Sequence, residues 1–322
     1  MRQPRLKVKD RTAVYHCLSR TVGGQFLLKE VDREMLRRLL WQQAQFCGVQ
    51  IITHTILSNH FHCQVRVPAP RPLSDAALLR RAQGFYPPKS PLLELLQRTM
   101  AEAGALPEDL RQRLLRRMGD VSVFMKELKQ RFSRWYNGQH DRFGTLWAER
   151  FKSLLVEDCP EAIGLVAAYI DLNAVRAGLV EDPKDYRFCG YGEAVGGHPL
   201  ARAGLLSFLG TADWDRGGAE YRMRLFVAGA TAGQSGKALI DRQRILAVLR
   251  AGGQLEWAEA LRLRLRYLSD GLVLGSEKWV NERFLEFRQR FGPRRQTGAR
   301  KLRSLPFASL RTLRDLRKQV IG

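Results

Sequence analysis

The sequence predicts an α+β domain built on a ferredoxin-like antiparallel sheet, followed by a basic and mostly helical C-terminal region. Four short segments mix β-branched, aromatic and other apolar residues with polar ones, and apolar residues recur with helical spacing in segments between them. After residue 197 the chain turns rich in arginine and leucine. Without one inserted segment, the elements follow the order β-α-β-β-α-β-α. The first six form a split β-α-β arrangement, which places the helices on one face of the sheet.

Each element has its own pattern. Strand segments such as A-V-Y-H-C-L-S-R mix β-branched and aromatic residues with polar ones, whereas Val31, Met35 and Leu39 have the spacing of one helix face. Ser58 and Asn59 are turn formers between two strands. The predicted elements are strands at 13–20, 49–57, 60–67 and 150–157 and helices at about 30–46, 121–136 and 161–175.

Two regions fall outside this pattern. Residues 68–121 open with P-A-P-R-P and become polar and helix-prone, so we expect a helical insertion within a first domain of residues 1–197. In residues 198–322, a helix-rich stretch begins near Ala238, and R-L-R-Y-L-S-D-G-L-V-L-G-S-E-K-W-V-N-E-R-F has the outline of a helix-turn-helix. The basic segment 294–303 is expected to be flexible until it meets a partner.

Composition limits the function classes. Five scattered cysteines without a C-x-x-C pair indicate reduced thiols, and the sequence contains neither a membrane-spanning run nor a signal peptide, so we expect a cytoplasmic protein. The chain carries 54 Lys+Arg against 32 Asp+Glu, a net charge of +22. Such an excess indicates a polyanionic partner, nucleic acid above all, although a basic surface can also serve solubility alone.

Two histidines lie in the strand S-N-H-F-H-C-Q-V-R-V. Side chains at i and i+2 of a strand project from the same face, so His60 and His62 point the same way. Two imidazoles at this spacing can converge on one divalent ion, but two nitrogens do not complete a metal site. The alternative is that they are ordinary polar residues on a solvated face.

A second pair lies on the helix A-A-Y-I-D-L-N-A-V-R-A-G. Tyr169 and Asn173 are four residues apart and therefore share one helix face. If this face covers the histidines, Asn173 can offer its carbonyl oxygen to the ion and Tyr169 can hold its hydroxyl beside a bound phosphate. Alternatively, Tyr169 is a core aromatic and Asn173 terminates the helix.

Together these motifs resemble a known family. H-F-H, Y-I-D-L-N-A-V-R-A-G, the preceding G-T-L-W-A-E-R-F-K-S and the trailing D-Y-R-F-C-G-Y resemble, in this order, the REP-associated tyrosine transposases. These are HUH single-strand DNA transposases of the insertion-sequence type, in which U is a hydrophobic residue. The resemblance covers roughly residues 8–195, interrupted by the insertion.

The resemblance implies an HUH endonuclease fold and a role for each matching residue. His60 and His62 match two ligands of a divalent metal, Mg or Mn, and Asn173 matches the third. Tyr169 matches the nucleophile that attacks a single-stranded DNA phosphate, leaving a 5′-phosphotyrosine and a free 3′-hydroxyl. The implied activity is cleavage and strand transfer on palindromic hairpin DNA, by a nucleoid-associated monomer or homodimer in DNA transposition or recombination.

Several cations are candidates for DNA contacts, although each can equally be a solvated surface charge. Those near the predicted site are Arg20, Lys129, Arg150, Lys152 and Arg176, and those of the C-terminal segment are Arg294, Arg295, Arg300 and Lys301. His16 and His54 lie on neighbouring strands and are candidates for support of the site.

The alternative function is a ferredoxin-like module that binds single-stranded nucleic acid without cutting it. Such a module would be expected to present aromatic residues on the open sheet face, where this strand carries histidines.

Overall fold

The computed structural model describes residues 5–226, 268–269, 271–302 and 309–314, and within these ranges seven strands form one sheet. The strands are β1 (Ala13–Arg20), β2 (Gln50–Ile56), β3 (His60–Val67), β4 (Lys152–Val156), β5 (Val273–Ser276), β6 (Arg300–Lys301) and β7 (Leu310–Leu313). The helices are α1 (Glu30–Cys47), α2 (Asp75–Gln83), α3 (Pro91–Ala103), α4 (Glu108–Leu115), α5 (Val121–Gln139), α6 (Pro160–Asp171), α7 (Asn173–Arg176), α8 (Gly190–Val195), α9 (Pro199–Leu206), α10 (Trp214–Phe226) and α11 (Glu277–Glu286).

The first four strands have the predicted ferredoxin-like topology. They lie in the order β2-β3-β1-β4, and each neighbouring pair is antiparallel. Helix α1 connects β1 to β2, and α5 precedes β4, which gives the split β-α-β connections. The predicted α+β class is confirmed.

Helices α1 and α5 cover one face of this sheet. Their buried positions, such as Leu36 and Leu40 on α1 and Phe124 and Leu128 on α5, repeat with helical spacing. On the sheet, Cys63 of β3 lies on the covered face. Its Sγ is 3.9 Å from the Sδ of Met125 on α5, so the odd-numbered residues of β3 point into this core.

Helix α6 covers the opposite face, so helices lie on two faces rather than on one as predicted. Ten of its residues, Ala162–Asp171, are buried. The Thr55 hydroxyl of β2 donates to the Ile170 carbonyl at 2.7 Å, which ties the helix to the sheet. A helix that is apolar all round is covered on both sides, and α9 and α10 contact the sheet edge and α6.

The insertion folds as three helices, α2, α3 and α4. Ser74 and Ser90 cap α2 and α3, with each side-chain oxygen accepting from a backbone N–H of the first turn. Arg111 pairs with Asp75 at 3.0 Å and links α4 to α2. No helix in the described ranges is long and apolar enough to span a membrane. The domain boundary near residue 197 stays a prediction.

The predicted helix-turn-helix is wrong at its turn. Residues Val273–Ser276 form β5, which pairs in parallel with β4, and α11 follows immediately. The Leu155 amide donates to the Leu272 carbonyl at 2.8 Å, and both Glu157 carboxylate oxygens accept from Ser276, the N-cap of α11. A short buried apolar run between two glycines has no periodicity that separates strand from helix. The helix expected from Ala238 lies outside the described residues up to 267.

The basic segment around residue 300 is ordered within the sheet. Arg300 and Lys301 form β6, which pairs with β7 at the sheet edge, and Thr312 and Leu313 of β7 are buried. Flexibility predicted for residues 294–302 is therefore wrong in this part. Deleting residues from about 290 onward would remove two strands as well as the positive charges, so charge substitutions are the cleaner test of this segment.

Candidate active site

His60 and His62 lie on the face of β3 that α6 covers. In the sheet register His60 lies opposite Arg20, and His62 lies between Leu18 of β1 and Thr55 of β2. Their ring centroids are 5.1 Å apart. For two imidazoles that share one ion at about 2.1 Å from each nitrogen, roughly 4.5 to 5 Å is expected. The strand pleat therefore places the two rings at a separation that is compatible with one shared ion.

The hydrogen-bond chain behind His62 determines its tautomer. His16 Nδ1 lies 2.9 Å from the Leu268 carbonyl oxygen, which can only accept, so His16 carries its proton on Nδ1. His16 Nε2 then accepts from His62 Nδ1 at 2.7 Å. The unprotonated nitrogen of His62 is consequently Nε2, the atom that a metal ligand needs.

Burial keeps both rings of this chain neutral. His16 and His62 are each 2% exposed. Burial lowers the pKa of His16 to about 4, and burial together with the neighbouring His16 and His60 lowers the pKa of His62 well below its usual value. A neutral imidazole is the form that coordinates a cation. His16, expected to support the site, contacts His62 through this hydrogen bond, and its supporting role stays a prediction.

The tautomer of His60 follows in the same way. The Asn59 amide donates through Nδ2 to the Gly24 carbonyl at 3.0 Å, so its Oδ1 faces the histidine. His60 Nδ1 donates to this oxygen at 2.5 Å. The lone pair of His60 is therefore also on Nε2. The turn residue Asn59, read in the sequence as a turn former, has a second role as the orienting partner.

Helix α6 brings Tyr169 to the histidines. Its ring centroid is 6.0 Å from that of His62 and 6.1 Å from that of His16, both in edge contacts, and the side chain is 2% exposed. Asn173 begins α7, one residue after the break at Leu172, and its Nδ2 donates to the Tyr169 carbonyl at 3.1 Å. The structure thus brings the predicted strand and helix residues together.

The amide oxygen of Asn173 already accepts a hydrogen bond from Arg176. Its guanidinium donates to Asn173 Oδ1, and its Cζ lies 4.4 Å from the centre of the Tyr169 ring. As a metal ligand, Asn173 would have to exchange this guanidinium for the cation. The predicted phosphate contact of Arg176 is consistent with its position beside the tyrosine.

The histidines supply only two of the ligands that a divalent ion needs. Imidazole nitrogens such as these two Nε2 atoms suit borderline cations, whereas Mg and Mn favour oxygen ligands. Within the described ranges, no group of three or more His, Cys, Asp or Glu side chains is arranged to hold a metal. The oxygen ligands must come from Asn173, from the substrate phosphate or from water.

Gln64 is a residue that the sequence argument missed. It lies two residues beyond His62 on the same face, opposite His16, and is fully buried. Both polar atoms of its amide lack a hydrogen-bond partner within the described structure. A signal was available, because the spacing His60, His62, Gln64 continues the same strand face.

The predicted DNA-contacting cations divide into two groups. Arg20, Arg150 and Lys152 lie where β1 ends and β4 begins, the end of the sheet that carries His60. Lys129 instead donates to the Glu149 carbonyl at 2.8 Å and lies over Trp147, and burial lowers its pKa to about 8. The position of Lys129 therefore does not favour a direct contact with DNA.

The C-terminal cations lie far from the histidines along the sheet. Strand β6, which carries Arg300 and Lys301, is four strands from β1, about 19 Å at the usual strand spacing. Arg295 donates to the backbone carbonyls of Thr297, Gly298 and Arg314 and so holds its own loop, whereas Arg294 is exposed. These positions place the segment at the far edge of the same sheet, outside the candidate site.

His54 does not support the site. It lies opposite Cys63 and contacts Trp41 of α1 edge-on at 5.7 Å, on the other face of the sheet. Its Nε2 is 3.7 Å from a carboxylate oxygen of Glu193. The expectation that it supports the site is wrong because successive strand residues point to opposite faces.

Asp171 anchors the helix that carries Tyr169. Its carboxyl accepts from the Tyr221 hydroxyl at 2.6 Å, from Thr53 Oγ1 at 2.8 and 3.0 Å and from the Tyr191 amide at 3.2 Å. Burial raises the pKa of this carboxyl to about 7, although the hydrogen bonds act in the opposite direction. The network joins α6 to β2, α8 and α10.

We expect Asp171→Ala to lower the free energy of unfolding by about 3 kcal/mol, because three buried donors would lose their acceptor. Chemical denaturation followed by circular dichroism measures it. Glu181→Ala, which removes an exposed carboxylate, is the control and should change stability by at most about 0.5 kcal/mol. Equal stability of the two variants would mean that the network contributes nothing.

Comparison with protein families and with curated proteins gave no match. Among solved structures the chain is similar to a REP-associated tyrosine transposase bound to a REP hairpin. The TM-score is 0.39 and the sequence identity 17%, over 62% of this chain and 90% of that one. A likeness this distant assigns no function, so the function must be judged from the geometry of the site.

Proposed function

We propose that this chain is a metal-dependent endonuclease and strand transferase for single-stranded DNA with a palindromic hairpin, and that Tyr169 is its nucleophile. One observation carries the proposal: His60 and His62 on a strand and Tyr169 on a helix, distant in sequence, meet on one sheet face with ring centroids 5.1 and 6.0 Å apart. A buried tyrosine beside two imidazoles that hydrogen bonds hold in orientation is unusual for a purely structural core. The motif resemblance supports the same roles.

The chemistry is a transfer of one phosphodiester bond. The Tyr169 oxygen attacks phosphorus and loses its proton, the bond from phosphorus to the 3′-oxygen breaks, and that oxygen gains a proton. A 5′-phosphotyrosine and a free 3′-hydroxyl result, and attack by a 3′-hydroxyl reverses the step. The energy of the phosphodiester is kept, so neither direction needs ATP.

The residues around Tyr169 have defined tasks in this step. His60 and His62 would hold the cation through Nε2, and His16 and Asn59 fix the orientation of those rings. The ion would withdraw charge from the non-bridging phosphate oxygens. Arg176, placed over the Tyr169 ring, is positioned to contact a phosphate oxygen once it leaves Asn173.

Covalent capture tests the proposal. An oligonucleotide with an imperfect palindrome and single-stranded flanks is incubated with the protein and Mn²⁺, in one copy labelled at the 3′ end and in another at the 5′ end. The 3′ label should move with the protein on a denaturing gel, while the 5′ label appears on a shortened free strand. EDTA should abolish both products.

The competing function, a binding module without catalysis, predicts a different result. The protein would then bind these oligonucleotides in native gels, and neither labelled strand would be cleaved at any Mn²⁺ concentration. That outcome would overturn the proposed cleavage. The net charge of +22 accounts equally well for binding in both cases, so only the covalent product separates them.

A further inference from the structure

A cavity of about 400 Å³ lies where the helical insertion meets the C-terminal end of α1. Phe46 and Leu73 are among its apolar lining residues, and three guanidinium groups line it as well: Arg71, Arg80 and Arg81. Arg71 precedes α2, and the other two lie in its last turn. A concave surface with this many cations is electrostatically suited to an anion.

None of these three arginines forms an ion pair within the described parts of the chain. Two nearby acids pair with other arginines, Asp75 of α2 with Arg111 and Glu127 of α5 with Arg117. This leaves three positive charges around one cavity without a carboxylate partner. Like charges held together in this way cost free energy, which a bound anion would offset.

Arg81 is the most buried of the three. Its guanidinium lies against Gly48, where an added Cβ would meet Nη1 at 2.5 Å, and its hydrogen-bond acceptor is the Met118 sulfur at 3.2 Å. Burial and the neighbouring Arg71 lower the pKa of this guanidinium. The C-terminal end of α1, capped at Gly48, stabilises one cation there, but Arg71 and Arg80 are exposed beyond it.

The cavity lies at the far end of the sheet from the candidate active site and beside α1, on the side of the sheet opposite to His60 and His62. Strand β3 begins at His60 and ends at Val67, where the chain enters the insertion. Eight residues of strand span about 23 to 26 Å. With a rise of about 3.4 Å per base pair, a DNA duplex that passes the end of the sheet to reach the cavity therefore needs more than about seven base pairs.

We propose that Arg71, Arg80 and Arg81 form a phosphate-binding site for the duplex stem of a hairpin whose single-stranded foot lies at His60 and His62. The inference rests on the proposed DNA substrate. It adds a second place, besides the candidate active site, where the protein contacts this DNA. Guanidinium groups bind phosphate oxygens through paired N–H donors, and the exposed Arg71 and Arg80 are accessible to a backbone that passes over the cavity.

Hairpin binding by matched triple variants tests the proposal. One variant carries Arg71→Gln, Arg80→Gln and Arg81→Gln. The control carries Arg98→Gln, Arg113→Gln and Arg116→Gln, three exposed arginines of the same insertion outside the cavity lining, so both lose the same charge. Affinity for a fluorescent hairpin is measured in EDTA by anisotropy across a salt series, which excludes cleavage.

The cavity variant should bind the hairpin about tenfold or more weakly, and the slope of log affinity against log salt should fall by roughly 2 to 3, about 0.9 per lost phosphate contact. The control should change the slope by less than half of this. A strand with the same foot but no stem should bind both variants alike. If Arg81→Gln lowers the melting temperature, the double variant Arg71→Gln, Arg80→Gln replaces the triple one.

Two results would overturn the site. One is an equal change of slope in the cavity variant and the control. The other is saturable binding of inorganic phosphate that the cavity variant loses while its hairpin affinity stays that of the wild type, which would assign the cavity to a free anion. Because binding is measured without cleavage, a protein that never forms the tyrosine adduct can still pass this test.

Discussion

Tyr169→Phe is expected to eliminate the covalent protein–DNA adduct, a loss of at least about 10³-fold in cleavage, while hairpin affinity stays within about twofold of the wild type. Phenylalanine keeps the ring that contacts His62, His16 and Arg176 and removes only the hydroxyl. Affinity should persist because it depends on the basic surface. The assay is the 3′-labelled capture experiment, run beside anisotropy.

Tyr136→Phe is the matched control. Tyr136 is also a buried tyrosine, at 4% exposure, and its hydroxyl donates to the Leu27 carbonyl at 3.1 Å. Its variant should lose a structural hydrogen bond, worth about 1 kcal/mol, and keep the adduct. An adduct that persists in Tyr169→Phe would refute Tyr169 as the nucleophile. Its loss in Tyr136→Phe instead would indicate that the nucleophile lies on α5.

The residues that share one face within β3, and those that share one face within the helix of Tyr169, were predictable from local rules. The period of two in the strand put His60 and His62 on one face, and the turn at Ser58 and Asn59 fixed where the strand begins. The four-residue spacing put Tyr169 and Asn173 at one end of a helix. Period and spacing are properties of single strands and helices, so they can be predicted from the sequence alone.

What could not be predicted depends on contacts between distant segments. The acceptor of His16 is the carbonyl of Leu268, 252 residues away, and no pattern marks it. The strand Val273–Ser276 is four residues long and gains its hydrogen bonds from β4 and β7. A segment this short has no intrinsic preference that outweighs its neighbours in the fold.

A different limit applies to Asn173, the proposed third ligand. Asn173 was assigned an open carbonyl oxygen, but Arg176, one turn further along the chain, occupies that oxygen. The pair is local, yet the sequence cannot tell whether the guanidinium turns to the amide, to the Tyr169 ring or to solvent. The structure shows the first two contacts together.

His60→Ala is expected to abolish both Mn²⁺ binding and cleavage while hairpin affinity stays within about twofold of the wild type. His60 is half-buried, and one of its partners, the Asn59 side chain, can turn to water when the ring is removed; we expect the stability to fall less than for a fully buried histidine. Electron paramagnetic resonance counts bound Mn²⁺ directly and gives a readout that does not depend on activity.

His62→Ala should give the same functional loss together with a fall of about 1 to 3 kcal/mol in the free energy of unfolding, because His16 Nε2 would lose its buried donor. His16→Ala separates support from coordination: it keeps both proposed ligands, so Mn²⁺ should still bind, about 10- to 100-fold more weakly. If all three variants bind Mn²⁺ as the wild type does, the imidazoles are structural. If these variants lose hairpin affinity together with cleavage, the histidines maintain the fold of the DNA-binding surface. The proposed role of a bound cation in cleavage would then be refuted.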